Sequence, residues 1–316
     1  MNEKTIELVE KLPLHRTAYS DRIALLMAKL SDLAYLDNGE DFENELNSLG
    51  FDLVKYIDKE NTEFFFAECD DFYVLAFRGT QGLRDILTDA NILNFKRGKD
   101  SFHSGFKKAY EKVQSEVEEL VENVSKPIYV TGHSLGGALA IIACNESINS
   151  SKVASCYTFG CPSVGDSSLD QNVLKFPIYR VVNNVDIFPR VPPWNQGSGF
   201  LVYLTSHGTR VIGQSAAAYM KLSMWFMFFV GISLYLTEKI LSTRGKQLHG
   251  LGLDHKMNNY IEKLQVIAED RQDINKQDTE ITKLKRLKNI FDFVYFALAV
   301  WGGRSLYKII IKYLED

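Results

Sequence analysis

The chain lacks an excess of charge of either sign. Its 36 Lys and Arg residues stand against 40 Asp and Glu residues, so the formal net charge is −4 over 316 residues. Proteins that bind nucleic acid carry clustered positive charge, and this balance gives no reason to expect such a partner. The first twenty residues also lack an apolar run. We therefore expect no cleaved signal peptide and a cytoplasmic or peripheral membrane location, with leaderless export left open.

Cysteine is scarce, and no internal repeat is visible. The four cysteines, Cys69, Cys144, Cys156 and Cys161, lack the spacing of metal ligands, and most of them lie in apolar stretches. This favours small core residues over disulfides.

Strand and helix patterns alternate through the first two-thirds of the chain. Residues 17 to 36 have apolar side chains at helical spacing, and residues 106 to 124 predict an amphipathic helix closed by Pro127. The segments FFFAE and YVLAF predict a hairpin, and SCYTFG and IYRVVNNVD predict further buried strands. This order predicts an α/β fold with a mainly parallel sheet covered by helices on both faces.

The strongest chemical signal is a serine between two glycines. Residues 128 to 139 read IYVTGHSLGGAL, so Ser134 follows an apolar strand and precedes a helix of small and apolar residues. This is the pattern of a nucleophile elbow, in which Gly132 and Gly136 let the chain pass close to a strained serine. The alternative is a structural turn rich in glycine and serine. The strand before it and the helix after it favour a nucleophile.

A serine nucleophile needs a base and an orienting acid, because an unassisted hydroxyl is a poor nucleophile. In α/β-hydrolases an acid and then a histidine follow the serine along the chain. Asp186 is the strongest acid because it ends the predicted apolar strand YRVVNNVD, whereas turn chemistry explains Asp166 and Asp170. His207 lies in a predicted hairpin turn, and His255 lies at the start of a predicted helix. The pattern alone favours His255 only modestly.

Seven short segments, taken together, indicate a protein family more specifically than any one of them does alone. They occur in the order FRGT, HSGF, GHSLGGALA, TFGCPSVGD, YRVVNNVDIFPRVPP, SHGTRV and DHKMNNYI. Over about residues 60 to 265 the chain thereby resembles the fungal-type triacylglycerol lipases of the lipase class 3 family. The resemblance implies an α/β-hydrolase fold and a catalytic triad of Ser134, Asp186 and His255. It gives His207 and His103 only supporting roles.

The resemblance also implies an oxyanion hole. In the resembling enzymes the residue after the glycine of FRGT donates its backbone N–H, and here that residue is Thr80. The second donor would be the amide of Leu135, directly after the nucleophile. Without the resemblance, the FRGT segment would be interpreted only as the end of a strand. This chemistry needs no metal and no organic cofactor.

An apolar stretch at residues 216 to 236 is long enough to cross a bilayer. A single crossing would separate His255 from Ser134, because these residues lie on either side of the stretch. We expect instead a flap or membrane-docking element, within an insertion at residues 215 to 240, and a buried core or dimer helix remains an equal alternative. In the first case, four aromatic side chains would contact lipid: Trp225, Phe226, Phe228 and Phe229.

The C-terminal segment combines a basic cluster with an apolar, aromatic stretch. We divide the chain into a hydrolase domain at residues 1–270 and a linker with a helical segment at residues 271–316, because a polar run near residue 270 is the best linker candidate. Basic residues beside an apolar helix favour attachment to an anionic membrane surface. The alternative is a C-terminal helix that covers the sheet.

These features predict a serine-dependent carboxylic ester hydrolase, a lipase or phospholipase, that cleaves glycerolipids at a membrane or lipid interface. Two alternatives are an esterase for small soluble esters and a catalytically idle module that binds lipid or a partner. Neither an oligomeric state nor a protein partner follows from the sequence.

Deletion of residues 281–316 should reduce flotation of the protein with anionic liposomes, because it removes the basic cluster and the apolar stretch. Flotation is measured for the full chain and the deletion variant with the same vesicles. Equal flotation of the two proteins would contradict the predicted anchor.

Overall fold

One mixed sheet runs through the part of the chain that the computed structural model describes. The described residues are 18–80, 104–122, 124–164, 176–184, 186, 188–190, 199–205, 210–212 and 255–269. Within them the sheet has eight strands, and their order in the sheet is their order in the chain.

The strands are β1 Asp52–Lys59, β2 Thr62–Glu68, β3 Tyr73–Phe77, β4 Ile128–His133, β5 Val153–Phe159, β6 Ile178–Asn183, β7 Phe200–Leu204 and β8 Arg210–Ile212. The helices are α1 Asp21–Leu33, α2 Glu40–Ser48, α3 Ser104–Glu111, α4 Gln114–Glu122, α5 Leu135–Glu146 and α6 Met257–Glu269. A short 3₁₀ turn spans Phe188–Arg190.

The centre of the sheet is parallel and its edges are antiparallel. Each strand from β3 to β6 pairs in parallel with the strand that follows it. Antiparallel pairing joins β1 to β2, β2 to β3 and β7 to β8. The mainly parallel sheet is therefore confirmed, as is the hairpin of FFFAE and YVLAF, in which Phe66 pairs with Leu75.

Helices cover both faces because the strand side chains alternate. Phe65 and Ala67 of β2 belong to one core with α1, α2 and α6. Phe64 and Phe66 belong to a second core with α3, α4 and α5 on the opposite face. All four cysteines are free thiols, and three of them are buried in the second core, as small core residues should be.

Helix α1 forms where the apolar periodicity predicts it. The Ser20 side chain accepts a hydrogen bond from the Ile23 N–H and caps its first turn. Asp21 adds negative charge at the N-terminus, where the helix dipole favours it.

The single helix predicted for residues 106 to 124 is wrong, because the chain forms two helices there, α3 and α4. The N–H of Val113 bonds to the carbonyl of Tyr110, three residues back, and this tighter turn interrupts the α-helical ladder. Lys112 at the break donates to the Glu60 carbonyl at 2.7 Å. The apolar spacing continues through the break, with Tyr110, Val113 and Val117 all buried. Periodicity therefore does not reveal the break.

The first turn of α5 crosses the ends of β3 and β4 at backbone contact. A Cβ at Gly136 would lie 2.3 Å from the carbonyl oxygen of Phe77, and a Cβ at Gly132 would lie 2.3 Å from the carbonyl of Gly136. Only glycine permits this approach, because the neighbouring atoms belong to the backbone. The glycines predicted to shape the elbow therefore have that role.

Replacement Gly136→Ala should destabilise the protein by at least about 2 kcal/mol, because the added methyl group forces two backbone segments apart. Urea unfolding measures the effect. The matched control is Gly39→Ala, where a Cβ would lie 4.0 Å from its nearest atom, the Asp37 carbonyl oxygen. A loss at Gly136 no larger than that at Gly39 would contradict the contact.

Candidate active site

Ser134 occupies the turn between β4 and α5 in a strained conformation. Its φ is 55° and its ψ is −124°, in a region that residues other than glycine rarely adopt. The residue is 1% exposed, and its N–H donates to the Phe159 carbonyl at 2.9 Å. The turn thus presents Ser134 at the carboxyl edge of the sheet, where the N-terminus of α5 favours negative charge.

Asp186 and His255 form a buried pair. Nδ1 of His255 lies 2.9 Å from Oδ2 of Asp186, and both side chains are almost fully removed from solvent. A carboxylate only accepts, so Nδ1 carries the proton when the imidazole is neutral, and Nε2 is then a free base. Strand β6 ends at Asn183 rather than at Asp186, and the Asp186 N–H bonds back to the Asn183 carbonyl at 2.8 Å. The acid therefore lies in a turn just after the strand.

Tyr260 is a partner of Asp186 that sequence reasoning missed. Its hydroxyl donates to Oδ2 of Asp186 at 2.6 Å and accepts from the Asn183 N–H at 3.1 Å. The Phe188 N–H donates to Oδ1 of Asp186 at 3.0 Å, and the Phe188 ring stacks on the His255 imidazole at 3.9 Å between centroids. On its helix Tyr260 follows the apolar pattern of a core residue. The available signal was that a buried tyrosine hydroxyl needs a partner.

Gly160 joins the nucleophile to the acid and the base. It follows Phe159, whose carbonyl accepts from Ser134, and a Cβ on Gly160 would lie 2.9 Å from both Oδ2 of Asp186 and the His255 ring. Its φ is +58°, which also favours glycine. The structure therefore brings Asp186 and His255 into contact with Gly160, one residue after the carbonyl that accepts from Ser134.

The two atoms that would exchange a proton have no hydrogen-bond partner within the described residues. Oγ of Ser134 and Nε2 of His255 are both buried and unpaired, so they do not hydrogen bond to each other in this structure. Such bonds are often long before substrate binds. Unpaired buried polar atoms are costly, and here they belong to the predicted nucleophile and base.

His133 links the elbow to the predicted base, and sequence reasoning also missed it. Its Nε2 lies 2.7 Å from the His255 carbonyl oxygen, and its Nδ1 lies 2.8 Å from the Tyr35 hydroxyl. Burial, and secondarily the charge on a protonated His255, hold the pKa of His133 well below its ordinary value. The signal in the sequence was its place directly before Ser134.

The two residues predicted to form the oxyanion hole, Thr80 and Leu135, lie just after β3 and at the start of α5. Thr80 follows β3, and β3 pairs with β4 up to Phe77 opposite Gly132. Leu135 begins α5, and the N–H of the first residue of a helix has no intrahelical acceptor. A Cβ at Gly79 would lie 2.5 Å from the His133 carbonyl oxygen, so the FRGT segment contacts the elbow.

Several predictions fall outside the described residues. They are the lipid-contacting aromatics Trp225, Phe226, Phe228 and Phe229, the apolar stretch 216–236, the C-terminal segment, His103, His207, Asp166 and Asp170. Of the helices that the structure describes, none has the length and apolar character needed to span a bilayer. In the same part of the chain, no cluster of His, Cys, Asp or Glu is arranged to hold a metal ion.

Comparison with known proteins identifies the region around the site. Residues 74–196 match the sequence profile of the family described as lipase (class 3). We call residues 74–196 the class 3 lipase region because of this match. Ser134 and Asp186 lie inside the class 3 lipase region. His255 lies beyond them and is connected to Asp186 by the 2.9 Å contact.

Three relatives describe the similarity. The lipase of Rhizopus niveus is 37% identical over an alignment of 142 residues, and this alignment covers 40% of this chain and 36% of that protein. The secreted mono- and diacylglycerol lipase 1 of Fusarium solani is 31% identical over 135 residues, covering 38% of this chain and 39% of that protein. A solved structure of Rhizomucor miehei lipase in a propeptide complex has a TM-score of 0.52 at 26% identity, covering 62% of this chain and 72% of that chain.

The described part of the chain has the α/β-hydrolase fold, as predicted, because its sheet and flanking helices match those of a fungal lipase. The chain spans little more than a third of the length of the two relatives matched by sequence.

Acidification should destabilise the protein through His133. Its pKa is lower in the folded chain than in the unfolded chain, so the unfolded chain takes up this proton first as the pH falls below about 6.5. The free energy of unfolding then falls by up to about 1.4 kcal/mol per pH unit until the folded-state pKa is reached. His133→Gln removes this titration, and urea unfolding between about pH 7 and pH 5 should give a shallower slope. Equal slopes for the two proteins would contradict this account.

Proposed function

We propose that the protein is a serine-dependent carboxylic ester hydrolase that cleaves acyl esters of glycerolipids through an acyl-enzyme. Ser134 is the nucleophile, His255 the general base and Asp186 the residue that orients the base. The observation that carries the proposal is the buried Asp186–His255 contact of 2.9 Å beside a strained serine, where Oγ of Ser134 and Nε2 of His255 have no hydrogen-bond partner among the residues that the structure describes.

The Asp186 contacts support the assignment of the base. With Nδ1 of His255 donating to Oδ2 of Asp186, only Nε2 is free to take a proton from Ser134. The Tyr260 hydroxyl and the Phe188 N–H hold the same carboxylate from other directions. The carboxylate therefore keeps its orientation and stabilises the imidazolium that forms when Ser134 loses its proton.

The reaction then follows in two steps. Oγ of Ser134 attacks the ester carbonyl as its proton moves to Nε2 of His255, and the negative charge on the carbonyl oxygen is stabilised by the N–H groups of Thr80 and Leu135. The imidazolium returns the proton to the leaving alcohol, and an acyl-serine remains. Water, deprotonated by the same imidazole, hydrolyses it and regenerates the free serine.

Glycerolipid is the proposed substrate class, and the names of the relatives support it. One is named a lipase and another a secreted mono- and diacylglycerol lipase. The aromatic stretch with Trp225, Phe226, Phe228 and Phe229, and the basic C-terminal cluster, suit an enzyme that works at a membrane or lipid surface.

Ser134→Ala should lower turnover of a medium-chain p-nitrophenyl ester by at least about 10⁴-fold and abolish labelling by a fluorophosphonate probe, because the probe reacts only with an activated serine. The matched control is Ser155→Ala. Ser155 is another buried serine, and it lies inside β5 away from the proposed site. This control should keep both activities.

Retained turnover in purified, folded Ser134→Ala protein would refute the assignment of the nucleophile. A wild-type protein that binds lipid vesicles but neither hydrolyses esters nor reacts with the probe would instead be a catalytically idle binding module.

A further inference from the structure

The His133 imidazole makes hydrogen bonds at both of its nitrogens, and each bond leads to a different part of the fold. Nε2 contacts the backbone carbonyl of His255 at 2.7 Å. Nδ1 contacts the hydroxyl of Tyr35 at 2.8 Å, and Tyr35 lies two residues beyond the end of α1. A side chain next to the nucleophile thus holds the backbone of the residue assigned as the base.

The partners fix the tautomer of His133. A backbone carbonyl only accepts, so Nε2 must carry the hydrogen that is donated to His255. In the neutral ring Nδ1 is then an acceptor, and the Tyr35 hydroxyl donates to it. His133 is 6% exposed. A neutral ring with both nitrogens bonded is the form that such burial favours.

The same unit contacts the segment that carries Thr80. A Cβ at Gly79 would lie 2.3 Å from the Tyr35 hydroxyl oxygen and 2.5 Å from the His133 carbonyl oxygen. Tyr35 and His133 therefore contact the chain immediately before the proposed oxyanion donor. Three segments meet at this pair: the end of β3, the elbow and the segment at His255 before α6.

The contact at residue 255 has a direct geometric consequence. Asp186 orients the His255 ring through the hydrogen bond at Nδ1. The position of the ring also depends on the backbone of His255, because a shift of its Cα atom would carry the ring with it. His255 lies two residues before α6 begins, and its carbonyl takes a hydrogen bond from His133. The His133 and His255 rings are 4.5 Å apart between centroids, so a shift of either backbone moves the other ring.

We propose that Tyr35 and His133 form a positioning pair that sets the distance between the nucleophile and the base. His133 is a positioning residue, because it acts through the backbone of His255 and makes no hydrogen bond to Oγ of Ser134 or Nε2 of His255. Tyr35 acts one step further away by fixing the tautomer of His133. The inference rests on the proposed function, since it concerns how Ser134 and His255 are aligned.

Misplacement of a catalytic group by about 1 Å costs on the order of a hundredfold in rate. We therefore expect His133→Leu to lower kcat for a p-nitrophenyl ester by about 10- to 100-fold, with KM changed by less than about threefold. His133→Gln, whose side-chain amide keeps an N–H donor, should recover most of kcat. Tyr35→Phe should lower kcat by about three- to tenfold.

The decisive measurement is a double-mutant cycle. Tyr35→Phe should not lower kcat further in the His133→Leu background, because that variant has no imidazole whose tautomer the Tyr35 hydroxyl could fix. Tyr110→Phe is the matched control. Tyr110 is a fully buried tyrosine, and it lies on the opposite face of the sheet. Titration with a fluorophosphonate probe gives the concentration of active sites, so that kcat refers only to folded enzyme.

The proposal is overturned if His133→Leu keeps the wild-type kcat per titrated site, if His133→Gln recovers nothing, or if Tyr35→Phe lowers kcat equally in both backgrounds. The same assay includes Ser134→Ala. Full activity of that variant would overturn the proposed function, and this inference with it. Loss of activity in Ser134→Ala with unchanged kcat in the His133 variants would overturn the positioning pair alone.

Discussion

Backbone contact between the first turn of α5 and the ends of β3 and β4 is the constraint on which the site depends. Gly136 approaches the Phe77 carbonyl, and Gly132 approaches Gly136, at distances that exclude any side chain. This contact forces the sharp turn at Ser134, with φ 55° and ψ −124°. The same contact places the N-terminus of α5 at the end of β4, on the edge of the sheet where Gly160 contacts Asp186 and His255. A looser crossing would leave the serine unstrained and further from its partners.

A second constraint comes from buried polar groups that hydrogen bond to one another. Asp186 is held by His255, Tyr260 and Phe188, and the neighbouring His133 is held by Tyr35 and by the His255 backbone. In a low-dielectric site such bonds are directional and expensive to break, so they fix side-chain geometry more firmly than apolar packing does. In the described part of the chain, Oγ of Ser134 and Nε2 of His255 have no hydrogen-bond partner, and these are the two atoms proposed to exchange a proton.

Local patterns account for the features that the sequence predicted. The elbow and the β2–β3 hairpin each arise from residues close together in the chain, and the parallel sheet was predicted from the local alternation of strand and helix patterns. Asp186 needed its position after an apolar strand, and the choice of His255 over His207 needed the family resemblance. Tyr260 and Tyr35 escaped prediction because their partners lie 74 and 98 residues away, and nothing local marks such contacts. The break between α3 and α4 escaped because the burial pattern continues across it.

A crystal structure of the protein after reaction with a fluorophosphonate tests the central claim most directly. The account predicts a covalent bond to Oγ of Ser134, with Nε2 of His255 within hydrogen-bonding distance of the adduct and the phosphoryl oxygen between the N–H groups of Thr80 and Leu135. An adduct on another residue, or a His255 ring turned away from Ser134 in the adduct, would contradict it.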